Sequence, residues 1–215
     1  MAADLETIDY PCPACGCALY GWTAAHDPLR RGERIVIDRC ESCGLAVTRA
    51  PEPPEPALEI VPMIRVLGGG SIALTAANRR SIQGSVGGAQ WAGIEPELRR
   101  LHLNPESMRL LLAKRDLVVD SIRTPYSGES AKLMQQTLIN AFTLRDNFLR
   151  NARAGRLAEP TNSKERWLQR LDYAVSYLVA VPCTLIAYPL ESFAAAVGRG
   201  GILEVKAHYP DPVGD

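Results

Sequence analysis

Apolar and polar residues alternate in six short runs of this chain, which is the pattern of half-buried β-strands. Three of the runs lie near the N-terminus and three lie further along the chain. The predicted strands cover residues 19–23, 34–39, 45–48, 71–75, 117–122 and 202–207. Because helical segments separate the later strands, the pattern predicts an α/β fold.

Four other segments have apolar residues every three to four positions, which is the period of a helix. These predicted helices cover residues 58–67, 129–154, 164–181 and 184–197. A fifth helix is predicted to begin at Asn104-Pro-Glu-Ser, where Asn104 serves as the N-cap and Pro105 lies in the first turn. The glycine-rich residues 84–93 are predicted to form a flexible loop.

A proline-rich stretch divides the chain. Residues 50–57 read Ala-Pro-Glu-Pro-Pro-Glu-Pro-Ala, and repeated proline disfavours both helix and strand interior while giving a stiff, extended connector. The predicted organisation is therefore an N-terminal module over residues 1–50, a linker over 51–57 and a larger domain over 58–215.

The composition of the chain limits the kinds of function that it can have. The chain has 215 residues, 47% of them hydrophobic, and a formal net charge of zero, so it can bury one core and a small appended module. Nucleic-acid binding is not favoured, because proteins that contact phosphates usually carry a basic surplus. Residues 1–9 lack the apolar run of a secretory signal, which predicts a cytoplasmic protein.

Two cysteine pairs carry the clearest chemical signal. Cys12 and Cys15 form one C-x-x-C pair, Cys40 and Cys43 form another after 24 intervening residues, and glycine follows each pair. Four thiolates at this spacing suit one tetrahedral Zn²⁺ in a zinc ribbon. The alternatives are two disulfides, which need an oxidising compartment, or four unrelated thiols. A four-cysteine site has no open position, so the predicted zinc is structural.

Two cysteines remain outside this set. Cys17 lies one residue past the first pair and could be a spare ligand, although Cys15 has the better spacing. Cys183 lies in an apolar run and is predicted to be a small buried hydrophobe.

Two later segments resemble a known family. Residues 66–78, Val-Leu-Gly-Gly-Gly-Ser-Ile-Ala-Leu-Thr-Ala-Ala-Asn, are similar to the turn into the fifth strand of class I S-adenosylmethionine-dependent methyltransferases that carry an N-terminal zinc ribbon. Trp91-Ala-Gly-Ile-Glu-Pro and Leu101-His-Leu-Asn-Pro-Glu-Ser-Met are similar to the segment that follows in that family. The resemblance implies that residues 117–122 form the sixth strand and 200–205 an antiparallel seventh.

The chain departs from that family between the ribbon and the fifth strand. The four strands and glycine-rich loop that hold the cofactor have no counterpart, because the proline linker joins the ribbon directly to residues 58–67. The resemblance thus implies a truncated, half-Rossmann sheet of about three strands. We expect a non-catalytic zinc-ribbon protein that binds or regulates a partner protein and does not hold S-adenosylmethionine by itself. The alternative is a methyltransferase whose cofactor site is completed by another chain.

Loss of the fourth strand implies an open sheet edge at residues 71–75. An open edge presents unpaired N–H and C=O groups that another chain can pair with. The edge is therefore predicted to be covered by a partner protein, a second copy of the chain or the ribbon.

His102 is the one candidate for catalysis, since the resemblance places it near the acceptor site as a general base. A histidine between Leu101 and Leu103 is equally a hydrogen-bonded residue beside a core, and without a cofactor half this structural role is favoured.

The apolar residues 171–197 have two interpretations. As in the family's C-terminal region, two helices would pack on the sheet and close the core. The alternative is peripheral contact with a membrane, with Arg145, Arg150, Arg153 and Arg156 over anionic headgroups. The core role is favoured, because Pro182 and Pro189 interrupt the apolar run.

Overall fold

The computed structural model describes residues 10–26, 34–50, 54, 64–68, 70–96 and 98–210. The strands are β1 (Leu19–His26), β2 (Arg34–Cys40), β3 (Ala46–Thr48), β4 (Ile64–Gly68), β5 (Ser71–Ala77), β6 (Leu101–His102), β7 (Val118–Arg123) and β8 (Ile202–His208). The helices are α1 (Ile82–Gly87), α2 (Pro105–Ala113), α3 (Gly128–Asn140), α4 (Phe148–Arg153) and α5 (Ser163–Ala196). The fold is mixed α/β, as predicted.

Two four-stranded sheets form the framework. Their strand orders are β1-β2-β3-β6 and β4-β5-β8-β7, and every pair of neighbouring strands runs antiparallel. The three predicted ribbon strands are present in the first sheet. Its fourth strand, β6, comes from a distant part of the chain and pairs Ala46 with His102 and Val47 with Leu101.

The two sheets share one hydrophobic core. Leu45 and the ligand-type residues Cys12 and Cys40 belong to the same buried cluster as Leu74 of β5 and Leu203 of β8. Since apolar side chains on both sides of the proline-rich residues pack together, the ribbon is part of the main fold, and disturbing it will disturb the core of the second sheet.

The predicted helix over residues 58–67 is wrong where the structure describes it. Residues 64–67 belong to β4, which pairs antiparallel with β5, and residues 58–63 lie outside the described part of the chain. Gly70, with a φ of +73°, lies in the tight connection between the two strands, and a positive φ is readily adopted by glycine. Gly68 and Gly70 therefore belong to a hairpin and do not end a helix.

This hairpin also removes the predicted open edge. Residues 71–75 pair with β4 on one side and with β8 on the other, so β5 is an inner strand and its backbone groups are used within the chain. The outer strands of this sheet are β4 and β7. The second sheet consequently has four strands where about three were predicted.

The long helix predicted over residues 129–154 is divided into α3 and α4. Asn147 adopts a left-handed φ of +56° at the break, and its N–H donates to the side chain of Asn140 at 2.9 Å. The Asn147 amide also donates to the C=O of Ile94 at 3.1 Å. These buried hydrogen bonds hold a turn that a 3.6-residue apolar pattern does not reveal.

The glycine-rich segment predicted as a flexible loop begins instead with α1. The Ser81 side chain caps α1 by accepting a hydrogen bond from the Gly84 N–H at 2.9 Å. A serine N-cap stabilises a helix start, and glycines within the following turn do not prevent it. The helix start predicted at Asn104 is confirmed, with Asn104 as N-cap and Pro105 in the first turn of α2.

The two helices predicted over residues 164–181 and 184–197 form one continuous helix, α5, with Pro182 and Pro189 inside it. It is long and apolar enough to cross a membrane by length and composition, yet only 17% of its most apolar 18-residue window is buried. The Gln135 amide of α3 donates to the C=O of Ala180 at 3.3 Å, so α3 supports α5 near its first internal proline. The prediction that this region packs on the core therefore holds for the inner side of α5, where Cys183 lies in one cluster with Ile139 and Leu149, and not for its exposed apolar residues.

Candidate metal centre and basic pocket

The four predicted metal ligands lie on two turns of the same construction. In the first turn the Cys12 N–H donates to the C=O of Cys17, and the Gly16 N–H donates to the C=O of Cys12, both at 2.8 Å. The second turn repeats the pattern at Cys40 and Gly44. The two glycines have φ angles of +78° and +69°, which favour glycine and bring each C-x-x-C pair to one side of its turn.

The turns bring the four thiols together. The Sγ atoms of Cys12, Cys15, Cys40 and Cys43 all lie within 4.8 Å of one another. Cys12 Sγ is 3.6 Å from Cys43 Sγ, and Cys15 Sγ is 3.4 Å from Cys40 Sγ. Zn–S bonds of about 2.3 Å place the sulfurs of a tetrahedral site about 3.8 Å apart. The cluster therefore fits one zinc ion, and its cysteines are free thiols.

The pKa values of the clustered thiols also favour a bound cation. Burial disfavours the charged thiolate. It is the main reason that the pKa of Cys12 is raised to about 11, and it also raises the pKa of Cys43. Burial opposes ionisation of Cys15 as well, but hydrogen bonds from the Cys17 N–H and from neighbouring thiols outweigh it and lower its pKa to about 6. Four adjacent thiolates need a bound cation to ionise together, and Zn²⁺ supplies that charge with no coordination position left for a substrate.

The two remaining cysteines are not among the four clustered thiols. Cys17 is exposed, and its thiol hydrogen-bonds that of Cys15 from outside the cluster. Cys183 is buried in α5, where burial raises the pKa of its thiol. Cys183 therefore fits the predicted buried, unreactive residue.

Asn104 connects the cluster to the rest of the fold. Its side-chain oxygen accepts from the N–H groups of Glu106 and Ser107 at the start of α2, at 2.9 and 3.1 Å. Its side-chain nitrogen donates to the C=O of Cys43 at 3.0 Å. One fully buried side chain thus caps a helix and holds the second metal turn.

His102 lies inside the protein. It is 3% exposed, and its Nε2 is 3.0 Å from the hydroxyl oxygen of Thr48 on β3. Burial, with the positive charges of Arg99 and Arg79, lowers the pKa of His102 to about 4. A pocket that His102 helps to line has a volume of only about 10 Å³. In this arrangement the histidine is a neutral residue that joins β6 to β3.

This burial makes stability depend on pH. Below pH 6.5 the unfolded chain protonates His102, whereas the folded chain resists protonation down to about pH 4. The free energy of unfolding should therefore fall as the pH falls through this window, by about 2 kcal/mol between pH 7 and pH 5 from this residue. Urea unfolding of the wild type and of His102→Gln at both pH values measures the contribution.

The His102→Gln variant should show a smaller loss of stability on acidification than the wild type. The variant His208→Gln removes a partly exposed histidine that lies 2.8 Å from Asp120, so this control should lose at least as much stability on acidification as the wild type. Equal losses in the wild type and His102→Gln would show that His102 is not held neutral.

A basic pocket lies beside the junction of the ribbon and the second sheet. It has a volume of about 650 Å³ and is lined by four arginines and one tryptophan, namely Arg39, Arg79, Arg80, Arg199 and Trp22. No carboxylate lines it among the residues that the structure describes. The arginines come from β2, from the turn after β5 and from the turn after α5, so only the folded chain assembles the pocket.

Arg79 is the most constrained member of this group. Its guanidinium lies 4.0 Å from the centre of the Trp22 ring, and its buried Nε has no hydrogen-bond acceptor among the described residues. Burial and the nearby charge of Arg39 lower the pKa of Arg79 to about 10. A positive group that is buried beside a like charge is relieved by an anion in the pocket.

One partial signal for this pocket is present in the sequence. The Arg79-Arg80 doublet follows a strand, but Arg39 and Arg199 are 160 residues apart in sequence and belong to no common pattern. The cysteine spacing therefore predicts the candidate metal ligands, whereas no local pattern predicts the pocket.

Comparison of the chain with protein-family models, with curated proteins and with solved structures gave no match.

Proposed function

We propose that this chain is a non-catalytic binding subunit, in which a structural zinc ion stabilises the fold and the basic pocket receives an anionic group of a partner protein. The observation that supports the proposal is the unbalanced charge of the pocket, since four arginines line a volume of about 650 Å³ without a lining carboxylate among the described residues. Charge-assisted hydrogen bonds from arginine to carboxylate or phosphate are among the strongest in proteins.

We further propose that the second sheet is the methyltransferase-like half of the fold, and the order of its strands supports this. β8 lies beside β5 and runs antiparallel to it, which is the relation that the resemblance implies for the seventh and fifth strands. β8 also runs antiparallel to β7, the counterpart of the sixth strand. These relations concern the half of the domain that carries no cofactor in that family.

Two features weigh against a cofactor site for S-adenosylmethionine. β4 pairs along the side of β5 where the resemblance places the fourth strand, and it runs antiparallel. The basic pocket also offers no described acidic residue to hydrogen-bond the ribose of a nucleoside. Both features favour a binding role over methyl transfer.

The rival proposal, a methyltransferase completed by another chain, makes larger demands on the fold. A fourth strand from a second chain could reach β5 only after β4 had separated from it. His102, at 3% exposure, would also have to become accessible to an acceptor. The binding role requires neither change, and it assigns partner contact to the basic pocket instead of the paired residues 71–75.

Titration with inorganic diphosphate tests the pocket. The wild-type chain should bind diphosphate with an affinity that falls as salt concentration rises, and Trp22 should report binding by a change in fluorescence. Arg80 and Arg199 are exposed side chains, so the double variant Arg80→Ala/Arg199→Ala should fold normally and bind at least about tenfold more weakly.

The variant Arg115→Ala is the matched control, since it removes an exposed arginine outside the pocket and should leave diphosphate affinity unchanged. Affinity capture from the native cell extends the test, because a partner held through the pocket should be retained by the wild type and the control but not by the double variant. Equal diphosphate binding by all three proteins, or binding by none, would refute the proposed pocket.

A further inference from the structure

The large apolar residues of α5 face away from the protein, which is unusual for a soluble helix. The side facing the protein buries three polar residues, Asp172, Ser176 and Glu191, together with the smaller residues Cys183, Ala187 and Ala194. The opposite side exposes six large apolar residues that we call the outer stripe, namely Tyr177, Leu178, Val181, Leu185, Ile186 and Phe193, each at least 56% exposed. A surface helix normally turns its apolar face to the core, so another apolar phase must cover the outer stripe.

The outer stripe is free of charge along most of the helix. Between residues 171 and 196 the charged residues are Asp172 and Glu191, and both are buried. At about 1.5 Å per residue this uncharged surface is about 40 Å long. Phe142 and Leu144, which are 61% and 56% exposed, add to it near Asp172, which accepts a hydrogen bond from the Leu144 N–H.

The inner side of α5 is attached to the protein along its length. Asp172 accepts from the Leu144 N–H at 2.8 Å, Thr184 accepts from the Gln135 amide, and Glu191 accepts from the Gln83 amide at 2.9 Å. A helix held in this way cannot be surrounded by lipid, so it cannot span a bilayer on its own. It can lie in the plane of a membrane with one face immersed.

The internal prolines agree with a shallow position. Pro182 and Pro189 have no N–H to donate to the C=O groups of Leu178 and Leu185, four residues earlier. Such carbonyls are costly in the hydrocarbon core, but water and headgroups can satisfy them at its boundary.

The charge of the segment before α5 indicates a membrane with anionic headgroups. Residues 150–170, which lead into α5, contain six basic and two acidic residues, although the whole chain has no net charge. Arg150 pairs with the buried Glu95 at 3.1 Å, so five basic residues remain in this segment against two acidic ones. Trp167 is 61% exposed in this segment, and tryptophan favours the membrane interface. A basic segment next to an uncharged apolar stripe matches anionic headgroups over acyl chains.

A second copy of the chain fits this surface less well. In a parallel pair of α5 helices the two basic segments would face each other. In an antiparallel pair each basic segment would face Arg199 at the end of the other helix. Like charges would meet in both cases.

We propose that α5 lies in the plane of an anionic membrane surface, with the outer stripe among the acyl chains and residues 150–170 at the headgroups. The basic pocket does not enter this proposal, so each can fail without the other.

Flotation of the zinc-loaded full chain with lipid vesicles tests it. The chain should float with vesicles of equal parts phosphatidylcholine and phosphatidylglycerol, bind vesicles of phosphatidylcholine alone several-fold more weakly, and be partly released from the mixed vesicles by high salt. Trp167 fluorescence should shift to shorter wavelength on binding, and the shift should be absent in Trp167→Phe.

The variant Leu178→Glu/Leu185→Glu should bind mixed vesicles about a hundredfold more weakly. Both positions are more than 70% exposed, so the variant should keep the wild-type circular dichroism spectrum and zinc content. Val66→Glu, at a site that is 78% exposed on β4, is the matched control and should bind like the wild type.

Unchanged vesicle binding by the double variant would overturn the proposal, as would a chain that stays in solution with both kinds of vesicle. A dimer that the double variant abolishes, without vesicle binding by the wild type, would assign the stripe to a second copy and also overturn it. Equal binding to neutral and anionic vesicles would overturn the assigned role of residues 150–170.

Discussion

Removal of zinc should unfold the whole chain and not only the ribbon. Binding of structural zinc contributes about 10–16 kcal/mol in zinc-finger peptides, which is as large as the total stability of a typical domain. Cys12, Cys40 and Cys43 belong to the same buried cluster as Leu74 and Leu203 of the second sheet. We therefore expect that a strong chelator, or the variant Cys43→Ser, removes both the near-ultraviolet signal of packed tryptophans and the cooperative thermal transition.

The variant Cys17→Ser is the control for this experiment, since Cys17 is exposed and lies outside the cluster. It should bind one zinc ion per chain and melt like the wild type. A chelated chain that kept the cooperative transition of the second sheet would show that the two parts fold independently, against the shared core described above.

The variant Asn104→Ala should lose about 2–4 kcal/mol of unfolding free energy. Loss of an N-cap costs about 1 kcal/mol, and leaving a buried carbonyl without its donor costs about 1–3 kcal/mol more. Asn104 serves both functions, because it caps α2 and donates to the C=O of Cys43. Urea unfolding at constant zinc concentration measures the loss.

Asn162 provides a matched control, since it caps α5 by accepting from the Glu165 N–H at 2.8 Å in an exposed setting. Asn162→Ala should cost about 1 kcal/mol, the value of a cap alone. Equal losses in the two variants would mean that the bond from Asn104 to the metal turn contributes nothing.

The sequence predicted those features that are set by residues close together in the chain. Two C-x-x-C pairs with following glycines define their own turns, and Asn104-Pro-Glu-Ser defines its own helix start. Both signals are local because each needs only a few neighbouring backbone groups. The alternating strands at residues 71–75 and 202–207 were recognisable for the same reason.

Features that depend on distant partners were missed. β4 was read as a helix, because its residues show no clear alternation and only pairing with β5 makes them a strand. The two-residue strand β6 exists because β3 lies beside it. The break at Asn147 depends on buried hydrogen bonds to Asn140 and Ile94, and four arginines from three separate elements form the basic pocket.

The apolar helix α5 shows a third limit on what can be predicted from the sequence. Its composition allowed either a core helix or a membrane-surface helix, because hydrophobic residues serve both. Only the fold reveals that polar residues such as Glu191 face inward and apolar residues such as Leu178 face outward.

Calorimetric titration of the zinc-loaded full chain with S-adenosylmethionine, and with inorganic diphosphate in parallel, separates a binding subunit from a methyltransferase. We expect heat of binding with diphosphate and none with S-adenosylmethionine, because β4 pairs antiparallel with β5 and no described carboxylate lines the basic pocket. Tight binding of S-adenosylmethionine by the isolated chain would contradict a non-catalytic role.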